Sequence, residues 1–287
     1  MQQLLSKSVV ERIKEATRLQ AAALIDEGIE PQLGVILVGD HPDSLKYISI
    51  KSKQAKEQGI ILSLYHLESE STQEEVMETI RFLNEDEDMH GIILQLPLPA
   101  HFSPEATDAL LNAVAPEKDV DGLRGDWQGL PSVPLTLDQF LETSPLAIPP
   151  MVCAILSLLS YYQIGFEGKK TVVIGEGRLV GGPVCRYLEK LGFEVDSVNE
   201  ETPKILDRTA AADIVISGTG QNDLVTYQWV KEGAVVVDCA SDIHADSVGQ
   251  VASALAPSVG GVGPLTVAWL LNNTVQAAYN LNHRRHD

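Results

Sequence analysis

The sequence predicts an α/β fold built as two domains, and three observations carry that expectation. Short, continuous, β-branched apolar runs recur along the chain: LGVILVG (Leu33–Gly39), GIILSLYHL (Gly59–Leu67) and GIILQLPLP (Gly91–Pro99), then KTVVIG, FEVDSV, ADIVISG and GAVVVDC in the second half. Helical stretches separate them, and apolar strands alternating with helices are the mark of a largely parallel sheet covered on both faces. Between the two series lies a segment from Asp119 to Pro150, rich in Gly and Pro and poor in periodicity, which places the inter-domain crossing there. A ligand cleft is expected between the halves.

At 287 residues the chain is long enough for two medium domains. It opens on an amphipathic stretch with acidic residues, MQQLLSKSVVERIKEATRLQAAALIDEG, which reads as a helix and lacks the apolar core and cleavage site of a signal peptide. The end of the chain reads as a helix from about Leu265, with Val267, Leu270, Leu271 and Val275 on one face, able to pack back on the first domain. The last residues, His283 to His286, read as a frayed tail.

Composition narrows the function classes. Hydrophobic residues make up 44% and charged residues 21%, and no apolar run approaches the ~20 residues that span a bilayer. A formal net charge of -19 argues against nucleic acid and anionic membranes as partners, since both require clustered Lys and Arg to displace counterions. A cytoplasmic protein with a small-molecule partner is the expectation. Cys153, Cys185 and Cys239 are widely spaced and form no CxxC pattern, which predicts neither a disulfide framework nor a zinc site. The seven histidines show no metal-ligand spacing either.

Three first-half segments carry chemistry-bearing residues. In SLKYISIKSKQAKEQGI, Tyr47 and Lys51 are four apart on a predicted helix and share one face. In QLPLP, the prolines stop a buried strand and leave Gln95 at its carboxyl end, where open α/β sheets bind ligands. In PEKDVDG, Asp119 and Asp121 lie in a loop closed by Gly122. Each alone also fits a bland reading: a solvated pair, a strand end, a capped turn.

Together they closely resemble the bifunctional methylenetetrahydrofolate dehydrogenase/cyclohydrolase (FolD) family. YISIKSK matches its Tyr-x-x-x-Lys-x-Lys helix, GIILQLPLP and PEKDVDG follow in family order, and GGVGPLT (Gly260–Thr266) matches the glycine-rich turn before the last helix. The resemblance implies that Lys51 is the central catalytic group, that Tyr47 stacks on and orients a folate, that Gln95 bonds to Lys51, and that Asp121 binds the pterin. It further implies substrate contacts at Gly261, Gly263, Pro264 and Thr266. Interconversion of 5,10-methylene-, 5,10-methenyl- and 10-formyltetrahydrofolate with NAD or NADP follows, in a homodimer. Residues 1–144 plus 265–287 would form the folate-binding catalytic domain, and 145–264 a Rossmann-like cofactor domain. A lysine suits the hydrolytic step, because water attacking a methenyl cation must lose a proton to a nearby group and a desolvated lysine is neutral often enough to take it.

The second half departs from the family pattern. Its glycine loop is GEGRLVGGP (Gly175–Pro183) against a usual Gly-Arg-Ser-x-x-Val-Gly-x-Pro, so Glu176 stands where a pyrophosphate is expected and Gly177 replaces a serine. Gly175, Gly177, Arg178, Val180 and Gly181 remain the expected cofactor-binding residues of this loop, with Arg178 as the replacement cation. After the next strand, NEET (Asn199–Thr202) stands in place of His-Ser-Arg/Lys-Thr. Glu200 and Glu201 there would repel a 2′-phosphate, and an acid about 20 residues past a glycine loop is what NAD binders use on the ribose. NAD is favoured over NADP on this ground; the bland reading leaves both glutamates as surface charges. Pro149–Ala154, PPMVCA, replaces a Pro-Cys-Thr-Pro segment. The alternatives are a monofunctional cyclohydrolase, a non-catalytic folate-binding homologue, or a different two-domain dehydrogenase resembling shikimate dehydrogenase. The QLPLP and PEKDVDG matches count against the last.

Overall fold

The computed structural model describes residues 1–124, 136–143 and 148–283. Its strands are β1 (Gln2–Gln3), β2 (Gln32–Val38), β3 (Ile61–Leu67), β4 (Gly91–Leu94), β5 (Thr171–Ile174), β6 (Val195–Val198), β7 (Ile214–Ser217), β8 (Val235–Asp238) and β9 (Ala254–Ala256). The helices are α1 (Lys7–Asp26), α2 (Pro42–Glu57), α3 (Gln73–Glu85), α4 (Pro104–Ala113), α5 (Leu137–Thr143), α6 (Pro150–Tyr161), α7 (Gly181–Lys190), α8 (Ile205–Thr209), α9 (Ala245–Val248) and α10 (Gly263–His283). All seven apolar runs of the sequence are strands. The chain forms two compact units, one of residues 12–124, 148–150 and 267–283 and the other of 1–11, 136–143 and 151–266.

The first unit holds a three-stranded parallel sheet in the order β3-β2-β4. Its central strand is buried on both faces, from Leu33 to Val38, as its unbroken apolar run requires. β3 differs: Ile61 and Leu64 are exposed because it is the edge strand. One face of the sheet packs against α10, where Val267, Leu270, Leu271 and Val275 join Leu33, Val35, Leu37 and Ile93 in one cluster. The face predicted for the last helix is therefore the one that closes this core. The opposite cluster joins Ile36 and Ile92 to α3 and α4 through Ile80, Leu83 and Leu110.

The second unit is a six-stranded parallel sheet in the order β1-β9-β8-β7-β5-β6. From β5 onward this is the 2-1-3-4-5 order of doubly wound folds, with the reversal of strand order between β5 and β7. The Rossmann-like expectation holds in this form. Residues 1–11, expected with the first domain, belong to this unit instead. The reason is local: Gln2 and Gln3 pair with Ala254 and Leu255, Leu4 is fully buried, and the Ser6 amide and hydroxyl both donate to Gly260 O. The expected boundary at residue 144, residues 125–135 and 144–147 of the predicted crossing segment, and the tail beyond His283 lie outside the described residues. No helix among the described residues is long and apolar enough to cross a membrane.

Candidate active site

In the first unit the site is built on α2, the end of β4 and the loop at 119–124. On α2, Ser44, Ile48 and Ala55 form the buried face, and Lys51 falls on the same stripe at i+7 from Ser44. Its ammonium is thus carried inward by a helix whose apolar neighbours anchor it. Lys51 Nζ donates to Gln95 Oε1 at 3.0 Å.

Gln95 follows directly on β4, and its amide N–H extends the ladder by donating to Ile36 O at 2.9 Å. Its side-chain Nε2 donates to Leu96 O at 2.8 Å, which fixes the amide so that its oxygen faces Lys51. A neutral acceptor matters here. A carboxylate would hold the lysine protonated, whereas an amide oxygen accepts from ammonium or amine alike.

Burial lowers the Lys51 pKa below the ordinary lysine value, and the negative charge of Asp121 opposes this without overcoming it. Asp121 is shifted the other way: burial raises its pKa, and the Lys51 charge pulls it down. Its loop is shaped by Asp119, only 5% exposed, which accepts from the Gly122 amide at 2.9 Å and the Arg124 amide at 3.1 Å. Burial pushes the Asp119 carboxyl up to about 6 against those amide bonds, and the nearby Asp121 charge adds to the rise. Lys118, also buried, donates to Leu83 O, Asn84 O and Asp86 O at 3.0, 2.8 and 2.7 Å, tying the same loop to the end of α3. The PEKDVDG segment is therefore a braced platform for Asp121. Sequence reasoning read Asp119 as a turn cap, which it is, and missed the role of Lys118.

Tyr47 lies one turn before Lys51 and is 57% exposed, with its ring at the surface of α2. Lys51, Gln95 and Asp121 are brought together; Tyr47 stands beside them as an uncovered aromatic face. Gly261, Gly263, Pro264 and Thr266 belong to the other unit. There Gly261 is buried, Gly263 and Pro264 open α10, and Thr266 Oγ1 donates to Gly263 O at 2.6 Å.

The second unit has its own cavity, of about 310 Å³, at the carboxyl ends of β5, β6 and β7. Gly175, Glu176 and Gly177 line it from the first strand, Asn199 and Glu200 from the second, and Gly218 and Thr219 from the third. This is the switch point at which doubly wound sheets bind ligands. Gly175 has φ +94°, a left-handed conformation that glycine adopts without strain. A Cβ on Gly181 would lie 1.7 Å from Gly175 O, so the start of α7 packs directly on the turn.

Of the expected cofactor residues, Gly175, Gly177 and Glu200 line the cavity. Val180 and Gly181 instead hold it in shape: Val180 fills the space over Gly218, and Gly181 allows the close approach just described. Arg178 is half-buried and is not among the lining residues. Glu176 differs most from expectation. Its carboxylate is engaged on β6, accepting from Ser197 Oγ at 2.9 Å and from Asn199 Nδ2 at 2.8 Å. The turn fits a dinucleotide: no side chain caps the N-terminus of α7, and a Cβ at Gly177 would meet nothing within 4 Å, leaving room for a pyrophosphate beside the helix end.

Comparison with known proteins agrees with both halves. Residues 4–121 match the model for the tetrahydrofolate dehydrogenase/cyclohydrolase catalytic domain, and residues 149–282 the model for the NAD(P)-binding domain of the same family. The chain is 35% identical over 284 residues to the bifunctional protein FolD of Nautilia profundicola, covering 96% of each chain. Among solved structures it is similar to the bifunctional FolD of Campylobacter jejuni, with 34% identity, a TM-score of 0.85 and coverage of 98% and 99%. It is also similar to the Trypanosoma brucei dehydrogenase-cyclohydrolase solved with NADP and an inhibitor, with 31% identity, a TM-score of 0.84 and 96% of each chain covered.

Proposed function

The chain belongs to the tetrahydrofolate dehydrogenase/cyclohydrolase family, and from that premise we propose that it oxidises 5,10-methylenetetrahydrofolate and hydrolyses the methenyl product to 10-formyltetrahydrofolate, with Lys51 as the acid-base group and NAD as the favoured cofactor. The observation that carries this reading is the contact between Lys51 and Gln95 at 3.0 Å, with burial holding the lysine below its usual range.

The cofactor supplies a hydride acceptor for the first step. For the second, Lys51 in its amine form would take a proton from water as its oxygen bonds to the methenyl carbon, and return it to the ring nitrogen as the C–N bond breaks, while the hydroxyl proton of the adduct leaves to solvent as the formyl C=O forms. Gln95 orients the amine through its fixed amide oxygen. The Asp121 carboxylate is suited to accept two parallel N–H bonds from the donor edge of a pterin, and the exposed ring of Tyr47 offers a stacking face. Gly261, Gly263, Pro264 and Thr266 are assigned to the substrate by motif match. Acidic lining at the end of the second strand of the doubly wound sheet, where Glu200 lies, supports NAD over NADP, since a carboxylate in that place accepts a ribose hydroxyl and repels a phosphate. The family resemblance supports a homodimer, which sedimentation tests, and composition supports a cytoplasmic location.

Absorbance-followed turnover tests the whole reading. Methylenetetrahydrofolate is supplied with NAD+ or NADP+ in parallel, and methenyltetrahydrofolate with neither. Oxidation with NAD+ together with hydrolysis is expected. Hydrolysis alone would leave a monofunctional cyclohydrolase, and no turnover in any arm would leave a folate-binding homologue without catalysis.

A further inference from the structure

Glu176 is encoded in the loop after β5, yet its carboxylate sits at the end of β6. Oε1 accepts from Ser197, within β6, and Oε2 from Asn199, the residue directly after it. Asn199 is itself held. Its Oδ1 accepts from the Glu201 amide at 3.0 Å and from Thr202 Oγ1 at 3.2 Å, while its own amide N–H donates to Thr202 Oγ1 at 2.9 Å. The NEET turn thus works as a bracket whose amide group grips Glu176, and the glutamate is fixed at both oxygens before any ligand arrives.

In doubly wound dinucleotide sites the acid that reads the adenosine ribose lies at the carboxyl end of the second strand. β6 is that strand here, and both Glu176 and Glu200 line the cavity at its end. Only Glu176 has both carboxylate oxygens anchored by neighbours of β6. Each oxygen retains an acceptor site after its one internal bond, which is the pattern needed to receive two vicinal hydroxyls. We propose that Glu176, held by Ser197 and Asn199, is the residue that selects the dinucleotide by accepting the ribose 2′- and 3′-hydroxyls of NAD and repelling a 2′-phosphate.

This assignment rests on the β5–β7 cavity being the dinucleotide site of the proposed function. It accounts for a glutamate in a glycine-rich turn: the side chain is drawn to β6, and the turn is left to the pyrophosphate. It also gives Ser197 and Asn199 a positioning role that neither charge nor motif reveals.

Calorimetric titration of the purified protein with NAD+ and with NADP+, without folate, tests the proposal by a readout independent of turnover. Wild-type protein is expected to bind NAD+ ~100-fold or more tightly than NADP+, since a 2′-phosphate would be brought against a carboxylate held in place at both oxygens. Glu176→Gln is expected to weaken NAD+ and shrink that ratio below about 10, and Glu176→Arg to reverse it, since a guanidinium pairs with phosphate. The Ser197→Ala, Asn199→Ala double variant leaves the glutamate but frees it, and is expected to lower the ratio with no change at residue 176. Melting temperature, followed for each variant, separates loss of fold from loss of selection. An unchanged ratio in both Glu176 variants, with collapse of the ratio in Glu200→Gln, would overturn the proposal and leave NAD preference standing on Glu200. Absence of binding of either dinucleotide to folded wild-type protein would instead overturn the reading of the cavity itself.

Discussion

Gln95 Oε1 receives a hydrogen bond from Lys51 Nζ at 3.0 Å while its own Nε2 is tied to Leu96 O at 2.8 Å, so the lysine faces an acceptor that is neutral and cannot turn away. The pH profile of hydrolysis follows from this contact. With the Lys51 pKa lowered by burial, the amine fraction, and with it the rate, rises with pH and levels off below the range of a free lysine. Gln95→Glu places a carboxylate on the ammonium, raises the Lys51 pKa, and moves the rising limb to higher pH, with a rate at neutral pH at least ~10-fold lower. Asp121→Asn removes the charge that opposes burial and moves the limb to lower pH, whatever it does to KM. Initial rates of methenyltetrahydrofolate hydrolysis across pH 6 to 10, extrapolated to zero buffer and corrected for the uncatalysed reaction, check both signs.

Lys51→Met removes the acid-base group and keeps the bulk of the stem. Hydrolysis is expected to fall by ~10²–10⁴-fold, the usual worth of a positioned proton acceptor. Folate binding, for which Asp121 and Tyr47 are the proposed contacts, is expected to remain measurable by calorimetry. Lys51→Arg should fail as badly, because a guanidinium stays protonated at every accessible pH. Wild-type-like turnover in either variant would remove Lys51 from the mechanism.

Asp119 offers a test on stability in place of rate. Its folded-state pKa is raised from 3.8 to about 6, chiefly by burial, so the folded protein holds a proton there that the unfolded chain gives up. Stability from this group is full below pH 3.8 and is lost as pH rises through about 6. At ~1.4 kcal/mol per pH unit of separation, the loss amounts to about 3 kcal/mol for a group so little exposed. Asp119→Asn has no such titration. Urea unfolding at pH 4, 5, 6 and 7 should therefore show the difference between wild type and variant moving in favour of the variant across that window and becoming flat above it.

Lys118 carries three hydrogen bonds to the carbonyls at the end of α3 from a position only 5% exposed. Its charge meets the negative end of a helix, where a cation is favoured. Lys118→Met leaves those carbonyls short of partners under a buried loop and is expected to lower unfolding free energy by about 3 kcal/mol. Denaturant unfolding measures it, and the turnover of the remaining folded protein should stay near normal if the brace is purely structural.

The legible part of this molecule is the part written in local spacing. Tyr47 and Lys51 at helical distance, prolines that stop the strand and leave Gln95 at its end, and the apolar stripe from Val267 to Val275 each need only a few neighbouring residues to be read, and each is where it was expected. What escaped depends on partners far along the chain. β1 is two polar residues whose strand character comes entirely from pairing with Ala254 and Leu255. The direction of Glu176 is set by Ser197 and Asn199, more than twenty residues on, and the task of Val180 by the missing side chain of Gly218. A pattern of residue types marks the turn as a binding loop; only the register of β5 beside β6 shows that one of its side chains belongs to the neighbouring strand.

Gly181→Ala separates the two activities. Helix propensity alone would favour alanine there, by less than the about 1 kcal/mol of a helix interior because Gly181 is the first residue of α7. The contact decides otherwise, since the added Cβ would fall 1.7 Å from Gly175 O, and the atom in its way is backbone that no rotamer change can move. The turn must shift to admit the methyl group, at a cost of about 1–3 kcal/mol in stability. The shift displaces Gly175 and Gly177, which line the cavity. Dinucleotide affinity is expected to fall at least ~10-fold and dehydrogenase kcat/KM with it, because a positioning error of an ångström at a binding loop has that scale of effect. Hydrolysis of supplied methenyltetrahydrofolate is assigned by the proposed mechanism to Lys51, Gln95 and Asp121 in the other unit, and should fall less than about threefold under the same conditions. Parallel loss of both activities in a variant that still melts cooperatively would show that the nucleotide turn is part of the hydrolytic machinery as well.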